Sequence, residues 1–251
     1  MFLKKLREKL KWLDPFTYVD LWVMPRVNPK ENEIVSWVVY LVSAFVFAWL
    51  IYTGLGLLLG TGSPMMIVVS SSMEPLYHRG DIIILHGATA ENIEEIPVHL
   101  GLALNERPFS DFAKAAYRPV SGEIQSIEFE SGASIPITKD GSILVYWSEH
   151  MKEPIVHRAV AKLSATDGVF LLTKGDSVNN TTIDQDCGRV IGARPEKPCI
   201  ELYPVPIEKV QGKSVLWVPF FGCFKLWLLD DLGSLAATGQ LPKEWESGNV
   251  C

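Results

Sequence analysis

The sequence predicts a mainly β fold, an antiparallel β-domain carried on one N-terminal transmembrane helix. Three observations lead to it: a long uncharged apolar run near the start, short Val/Ile/Leu-rich stretches recurring between turn signals after it, and enough apolar material for a packed core. The chain has 251 residues, of which 48% are hydrophobic and 21% charged, with a mean hydropathy of +0.17. That length suits one or two domains, and the composition excludes disorder as the dominant state. The net charge is −6, from 23 Lys+Arg against 29 Asp+Glu. This acidic balance, with no dense basic block beyond the first dozen residues, excludes nucleic acid as the main partner. The 4 cysteines include no CxxC pair and are too few for a disulfide scaffold.

The helix comes first. No charged residue lies between Glu33 and Glu74, and Ile34 to about Gly60 is almost continuously apolar. A bilayer core of about 30 Å needs roughly 20 apolar residues, which this run exceeds. It lies too far from the start and is too long for a cleaved signal peptide, so it reads as an uncleaved signal anchor. Residues 1–33 carry Lys4, Lys5, Arg7, Lys9, Lys11, Arg26 and Lys30, whereas residues 63–106 carry only Arg79. The positive-inside rule then puts the N-terminus in the cytoplasm and the rest beyond the membrane. Leu3, Leu6, Leu10 and Leu13 recur at helical spacing opposite Lys and Arg, which fits a helix lying on the membrane face or an ordinary solvated amphipathic helix.

The strands follow. Runs at 65–69, 81–85, 123–129, 142–147, 154–163, 168–173, 190–193 and 214–220 alternate or cluster apolar residues between Gly-Asp, Asp-Gly and Ser-Gly turns. A helix is expected around Ser110–Ala116. Hairpin-length connections make the domain antiparallel. The resulting division is a cytoplasmic basic segment at 1–33, the anchor at 34–62, an extracytoplasmic β-domain at 63–229 with an insertion at 87–141, and a C-terminal tail at 230–251.

Three segments bring catalytic residue types to strand ends. In VVSSSMEPLYHRGD (68–81), serines follow a strand and precede turns at Pro75 and Gly80-Asp81, an arrangement that can expose a hydroxyl beside backbone N–H groups. In EPIVHRAVA (153–161), alternation puts Ile155, His157, Ala159 and Ala161 on one face, with Val156, Arg158 and Val160 on the other. A histidine among small apolar neighbours suits a general base. In LLTKGDSVNNTTIDQD (171–186), Asp176, Asp184 or Asp186 is placed to fix an imidazole's tautomer. Each segment also has an ordinary reading: a polar linker, a core histidine and a Gly-Asp turn. Asn179 and Asn180 additionally open overlapping glycosylation sequons. The remaining histidines show no metal-ligand spacing.

Taken together, Ser-x-Ser-Met-x-Pro with a following Gly-Asp, a Val-His-Arg strand, and Lys-Gly-Asp with a later aspartate, in that order behind one anchor, resemble type I signal peptidases, and within them the archaeal and endoplasmic-reticulum branch. The bacterial branch has a lysine where this chain has His157. The resemblance implies Ser72 as nucleophile, His157 as base and then acid, Ser70 as an oxyanion contact alongside the N–H of residue 72, and Asp176 and Asp184 as the aspartates of the third motif. About two extra residues separate Gly-Asp from that second aspartate, which leaves Asp184 and Asp186 both open. The resemblance further implies a signal-peptidase-type β-domain and a serine endopeptidase that needs no cofactor or metal. It would cleave signal peptides of preproteins after small residues, as in Ala-x-Ala. Membrane lipid is an expected partner, and the Sec translocon or other signal peptidase subunits are candidates. An archaeal cell membrane is favoured over the endoplasmic reticulum.

Other readings stand beside these. A non-catalytic membrane-anchored β-module that binds exported chains is one, and a lysine base, Lys174 or Lys152, is another. The insertion either contacts a partner or is a solvated β-element. The apolar 215–229 segment, interrupted by Pro219, Gly222 and Lys225, reads as a strand followed by a membrane-facing stretch rather than a second span. Cys187 and Cys199 either pair or stay as buried thiols.

Overall fold

A computed structural model describes residues 11–12, 14–187, 199–233, 235 and 239. The chain divides into two units, residues 1–58 and 59–251. Most of the amphipathic stretch expected over 2–13 at the start of the basic segment, the strand expected at 190–193 and most of the 230–251 tail lie outside the described residues.

In the first unit, short helical turns over Pro15–Tyr18, Val19–Val23 and Met24–Val27 precede a long helix, α1, at Glu33–Leu59. The Asn32 carboxamide oxygen accepts from the N–H groups of Ile34 (3.0 Å) and Val35 (3.3 Å), satisfying two donors that a helix start leaves free. The 27 residues of α1 rise about 40 Å. None is buried, and among the described residues this is the one helix long and apolar enough to cross a bilayer.

Among the described residues, the second unit is built on eleven strands: β1 (Met65–Ile67), β2 (Ile82–His86), β3 (Pro97–His99), β4 (Ala113–Tyr117), β5 (Ile124–Phe129), β6 (Ser134–Pro136), β7 (Ile143–Ser148), β8 (Glu153–Ala165), β9 (Gly168–Lys174), β10 (Val205–Pro206) and β11 (Val210–Val218). The main sheet runs β1-β2-β11-β7-β8-β9-β10 and is antiparallel along that path, with β3 joining β8 in parallel. The insertion supplies β3 and a separate sheet, β4-β5-β6. Val98, Phe112, Ile127 and Ile135 from the insertion share one buried cluster with Val160, Leu163, Leu172 and Ile183. The insertion is therefore packed onto the domain rather than projecting from it.

Two local expectations are corrected. The helix expected around Ser110–Ala116 is a 3-10 turn at Phe109–Asp111 followed by β4. Alanine favours helix in isolation, but Ala113, Ala115 and Ala116 pair with Phe129, Ile127 and Ser126 of β5, and burial of the neighbouring Phe112 fixes the chain as extended. Strict alternation along β8 also fails after Ala159. A register shift against β9 between Ala159 and Ala161 places Val160 and Ala161 in the same cluster, away from Ala159. His157 and Arg158 precede that bulge and keep their alternation.

The 215–229 segment is β11 followed by helical turns at Cys223–Lys225 and Leu226–Asp231. Leu216, Phe220, Phe221 and Phe224 are 57–74% exposed, an apolar density that water alone does not favour. Cys187 and Cys199 form a disulfide.

Candidate active site

Residues 68–81 form a tight turn between β1 and β2. Buried Asp81 organises it: one carboxylate oxygen accepts from His78 N–H (2.9 Å), the other from Phe220 N–H (3.0 Å), and its carbonyl accepts from Val68 N–H (2.8 Å). Met73 is buried beside Val68, Tyr77 and Leu85, so the residue next to Ser72 is pinned in the core. Ser70 and Ser72 bring their hydroxyl oxygens to 3.2 Å. The Ser72 carbonyl is held from the other side of the site, by Ser177 N–H (2.9 Å) and the Asn180 carboxamide nitrogen (3.1 Å).

His157 sits on β8 opposite Leu144 of β7 and is 1% exposed. Its Nδ1 donates to Oδ2 of Asp184 at 2.6 Å. The same oxygen accepts from Thr173 Oγ1 (2.7 Å) and Tyr146 Oη (2.9 Å), and Asp184 N–H donates to the Thr173 carbonyl (2.8 Å). Burial works against ionisation of Asp184, but the facing imidazole and these hydrogen bonds outweigh it and hold the carboxyl below the usual carboxylate range. Burial and the adjacent carboxylate push the Tyr146 phenol well above its ordinary value, so it remains a donor.

Among the described residues no hydrogen bond joins Ser72 to His157, and the Ser72 hydroxyl rests against Ser70. The serine turn and Nε2 of His157 come near each other at Gly175. A Cβ on Gly175 would overlap the Asn180 carboxamide and lie 2.7 Å from the Ser72 carbonyl oxygen and 2.9 Å from Nε2 of His157. Glycine is required there because the serine turn, the imidazole and the loop after β9 close around one point.

The two aspartates of the third motif diverge. Asp176 pairs with Arg158, taking Nε at 2.9 Å and Nη2 at 2.6 Å in a two-pronged, nearly buried ion pair. Asp186 accepts from Tyr117 of the insertion instead. The structure pairs Ser70 with Ser72 and His157 with Asp184, sets both pairs close to Gly175 without a hydrogen bond between them, and puts Asp176 on the adjacent residue of β8. Neither lysine considered as a base is hydrogen-bonded to Ser72 or His157 among the described residues. Lys174 donates to the Gly175 carbonyl (2.9 Å), and exposed Lys152 to Glu149 (3.2 Å). Burial pulls the Lys174 ammonium below its ordinary pKa.

Sequence reasoning missed Tyr146, Thr173 and Asn180. The first two sit inside apolar strands, where a tyrosine or threonine reads as packing, and the third reads as part of a sequon.

No family model matches the chain. It is similar to the signal peptidase complex catalytic subunit sec11 of Schizosaccharomyces pombe, 26% identical over 189 residues covering 73% of this chain and 76% of that one. The corresponding subunit of Colletotrichum graminicola is 25% identical over 197 residues, 78% of this chain and 80% of its own. That of Scheffersomyces stipitis is 29% identical over 147 residues, 58% and 60%. Among the described residues the chain is a mainly antiparallel β-domain with one helix apolar enough to span a membrane, and in sequence it is similar to signal peptidase complex catalytic subunits.

Proposed function

We propose that the protein is a membrane-bound serine endopeptidase that removes signal peptides from exported preproteins after small residues. The observation that carries this reading is the His157–Asp184 hydrogen bond of 2.6 Å, with Nε2 of the same ring and the Ser72 carbonyl both close to Gly175. Ser72 Oγ turns from Ser70 toward Nε2, loses its proton to it and attacks the scissile carbonyl. Substrate binding tightens this contact, as is common for catalytic hydrogen bonds. The developing oxyanion is met by the N–H of Ser72 and the hydroxyl of Ser70. His157 returns the proton to the leaving amine, then activates the water that hydrolyses the Ser72 ester. Asp184 keeps the proton on Nδ1 and stabilises the imidazolium, and Tyr146 and Thr173 hold Asp184 in position. Asp176 acts one step removed, tying the loop to β8 through Arg158.

In this reading the N-terminus is cytoplasmic, α1 crosses the membrane and the β-domain lies beyond it. The exposed apolar residues of 215–229 would then rest against lipid. The fungal relatives give no support to the archaeal membrane favoured from sequence, and we propose the endoplasmic-reticulum membrane, with other subunits of a signal peptidase complex as partners. The test uses full-length protein in detergent with phospholipid, a preprotein bearing an Ala-x-Ala site, and Ser72→Ala and His157→Ala controls. Cleavage after the small residue by the wild type alone is expected. Cleavage retained in Ser72→Ala would sink the serine mechanism, and none by folded wild type, in detergent or native membranes, would favour a binding module.

A further inference from the structure

The loop between β9 and Asp184 holds a residue that the motifs leave without a role. Asn180 lies in a polar stretch of that loop, yet its carboxamide reaches the nucleophile turn, 108 positions earlier in the chain.

We infer that Asn180 is a positioning residue for the proposed reaction: its carboxamide fixes the Ser72 peptide, so that the hydroxyl needs only to turn from Ser70 to reach His157. The inference rests on the reading of Ser72 as nucleophile. The Ser72 carbonyl oxygen accepts two hydrogen bonds, from Ser177 N–H (2.9 Å) and from Asn180 Nδ2 (3.1 Å). A carbonyl can only accept, so the amide nitrogen of Asn180 must face it. Asn180 is itself held, its N–H donating to the Ser177 carbonyl (2.9 Å). The far end of the loop is fixed by Asp184 N–H on the Thr173 carbonyl (2.8 Å) and by Ile124 N–H on the Thr181 carbonyl (2.8 Å). The loop that delivers Asp184 to the imidazole thus also grips the backbone of the nucleophile. A Cβ on Gly175 would overlap this same carboxamide, which places it within the active centre rather than at its rim.

The overlapping sequons are constrained by the same contact. A glycan on Asn180 would sit on the same nitrogen that holds Ser72, and the site leaves no room for it there, since even a Cβ on Gly175 would come within 2.0 Å of that nitrogen. Asn179 is exposed.

The test compares full-length wild type, Ser72→Ala, Asn180→Ala and Asn180→Asp, produced in a host that does not N-glycosylate and assayed on the Ala-x-Ala preprotein. Asn180→Asp keeps the shape but puts an acceptor against an acceptor. Both Asn180 variants are expected to lose kcat by between about tenfold and about 100-fold, with KM within about twofold and the melting temperature near that of wild type. A folded Asn180 variant that keeps kcat within about twofold, while Ser72→Ala is inactive, overturns the proposal alone. So does a rise in KM at constant kcat, or failure of both variants to fold, which would make Asn180 purely structural. Activity retained in Ser72→Ala instead removes the reading on which the proposal rests.

Discussion

Replacing Asp184 by asparagine separates the two aspartates of the third motif. The substitution keeps the shape of the side chain and removes one charge. Oδ2 of Asp184 lies 2.6 Å from Nδ1 of His157, so the carboxylate and the imidazolium formed during catalysis have charge centres about 4 Å apart. At an effective dielectric of about 20 their attraction is about 4 kcal/mol, which corresponds to about 10³-fold in rate if it acts mainly on the transition state. The neutral amide also permits the wrong imidazole tautomer, which adds to the loss. We therefore expect Asp184→Asn to lower kcat by about 10³-fold or more, with a modest change in KM. Asp176→Asn leaves His157 untouched and strips the charge partner from Arg158, whose side chain is only 10% exposed. Breaking a buried pair on one side costs about 3–5 kcal/mol of stability, so this variant should melt early yet keep kcat within about tenfold at temperatures where it is folded. The assay is preprotein cleavage under saturating substrate, with thermal melts in the same detergent. A folded Asp184→Asn enzyme with near wild-type kcat, or a larger kcat loss in folded Asp176→Asn, would refute the assignment.

Glu95 predicts a pH-dependent stability: burial, opposed by its bond from Ser142 N–H and by nearby Arg158, Lys162 and Lys213, raises its pKa from 4.5 to about 7. The folded state holds an extra proton between those values, so stability falls as pH rises from about 4.5 to about 7 and is flat above; after discounting for partial exposure the span is about 1–2 kcal/mol. Glu95→Gln should flatten that slope and raise the melting temperature at pH 8 more than at pH 5, and identical slopes in the two proteins would refute it. Phe112, fully buried and 6.4 Å from Phe129 in a stacked pair, predicts that Phe112→Ala costs about 3–5 kcal/mol in a denaturant titration, whereas a loss below about 1 kcal/mol would mean the insertion is not part of the core.

In the main sheet β1, β2, β7, β8, β9 and β11 were legible because each satisfies its own pattern, whereas the short β3 and β10 were not. The runs at 142–147 and 168–173 fall on β7 and β9, and the Gly-Asp and Asp-Gly turns mark their ends. β4 was not legible, because AKAAY has helical propensity and becomes a strand only through β5. The bulge in β8 leaves no trace in composition, so Ala161 could not be placed from alternation. At the site, the order of the motifs identified which residues to watch but not their pairing. Asp176 and Asp184 are eight positions apart by number, and a sequence cannot tell which of them the loop returns to the imidazole. Tyr146 and Thr173 were hidden for a different reason: their hydroxyls matter only because Asp184 comes to lie between them.

The pairing itself follows from β8. His157 and Arg158 are consecutive on an extended strand, so their side chains leave on opposite sides. A single loop then supplies one carboxylate to each, Asp184 to His157 and Asp176 to Arg158, and the chain between them passes the Ser72 carbonyl at Ser177 and Asn180. The Arg158 cation and the prospective His157 cation are each matched where they sit, so neither carboxylate is left uncompensated. The Arg158–Asp176 pair anchors the residue after Gly175, and Gly175 is the point at which the serine turn and the imidazole meet. Asp176 is thereby tied to the geometry of the reaction without touching it: loosening that pair shifts the glycine, while the charge that stabilises the imidazolium stays on Asp184.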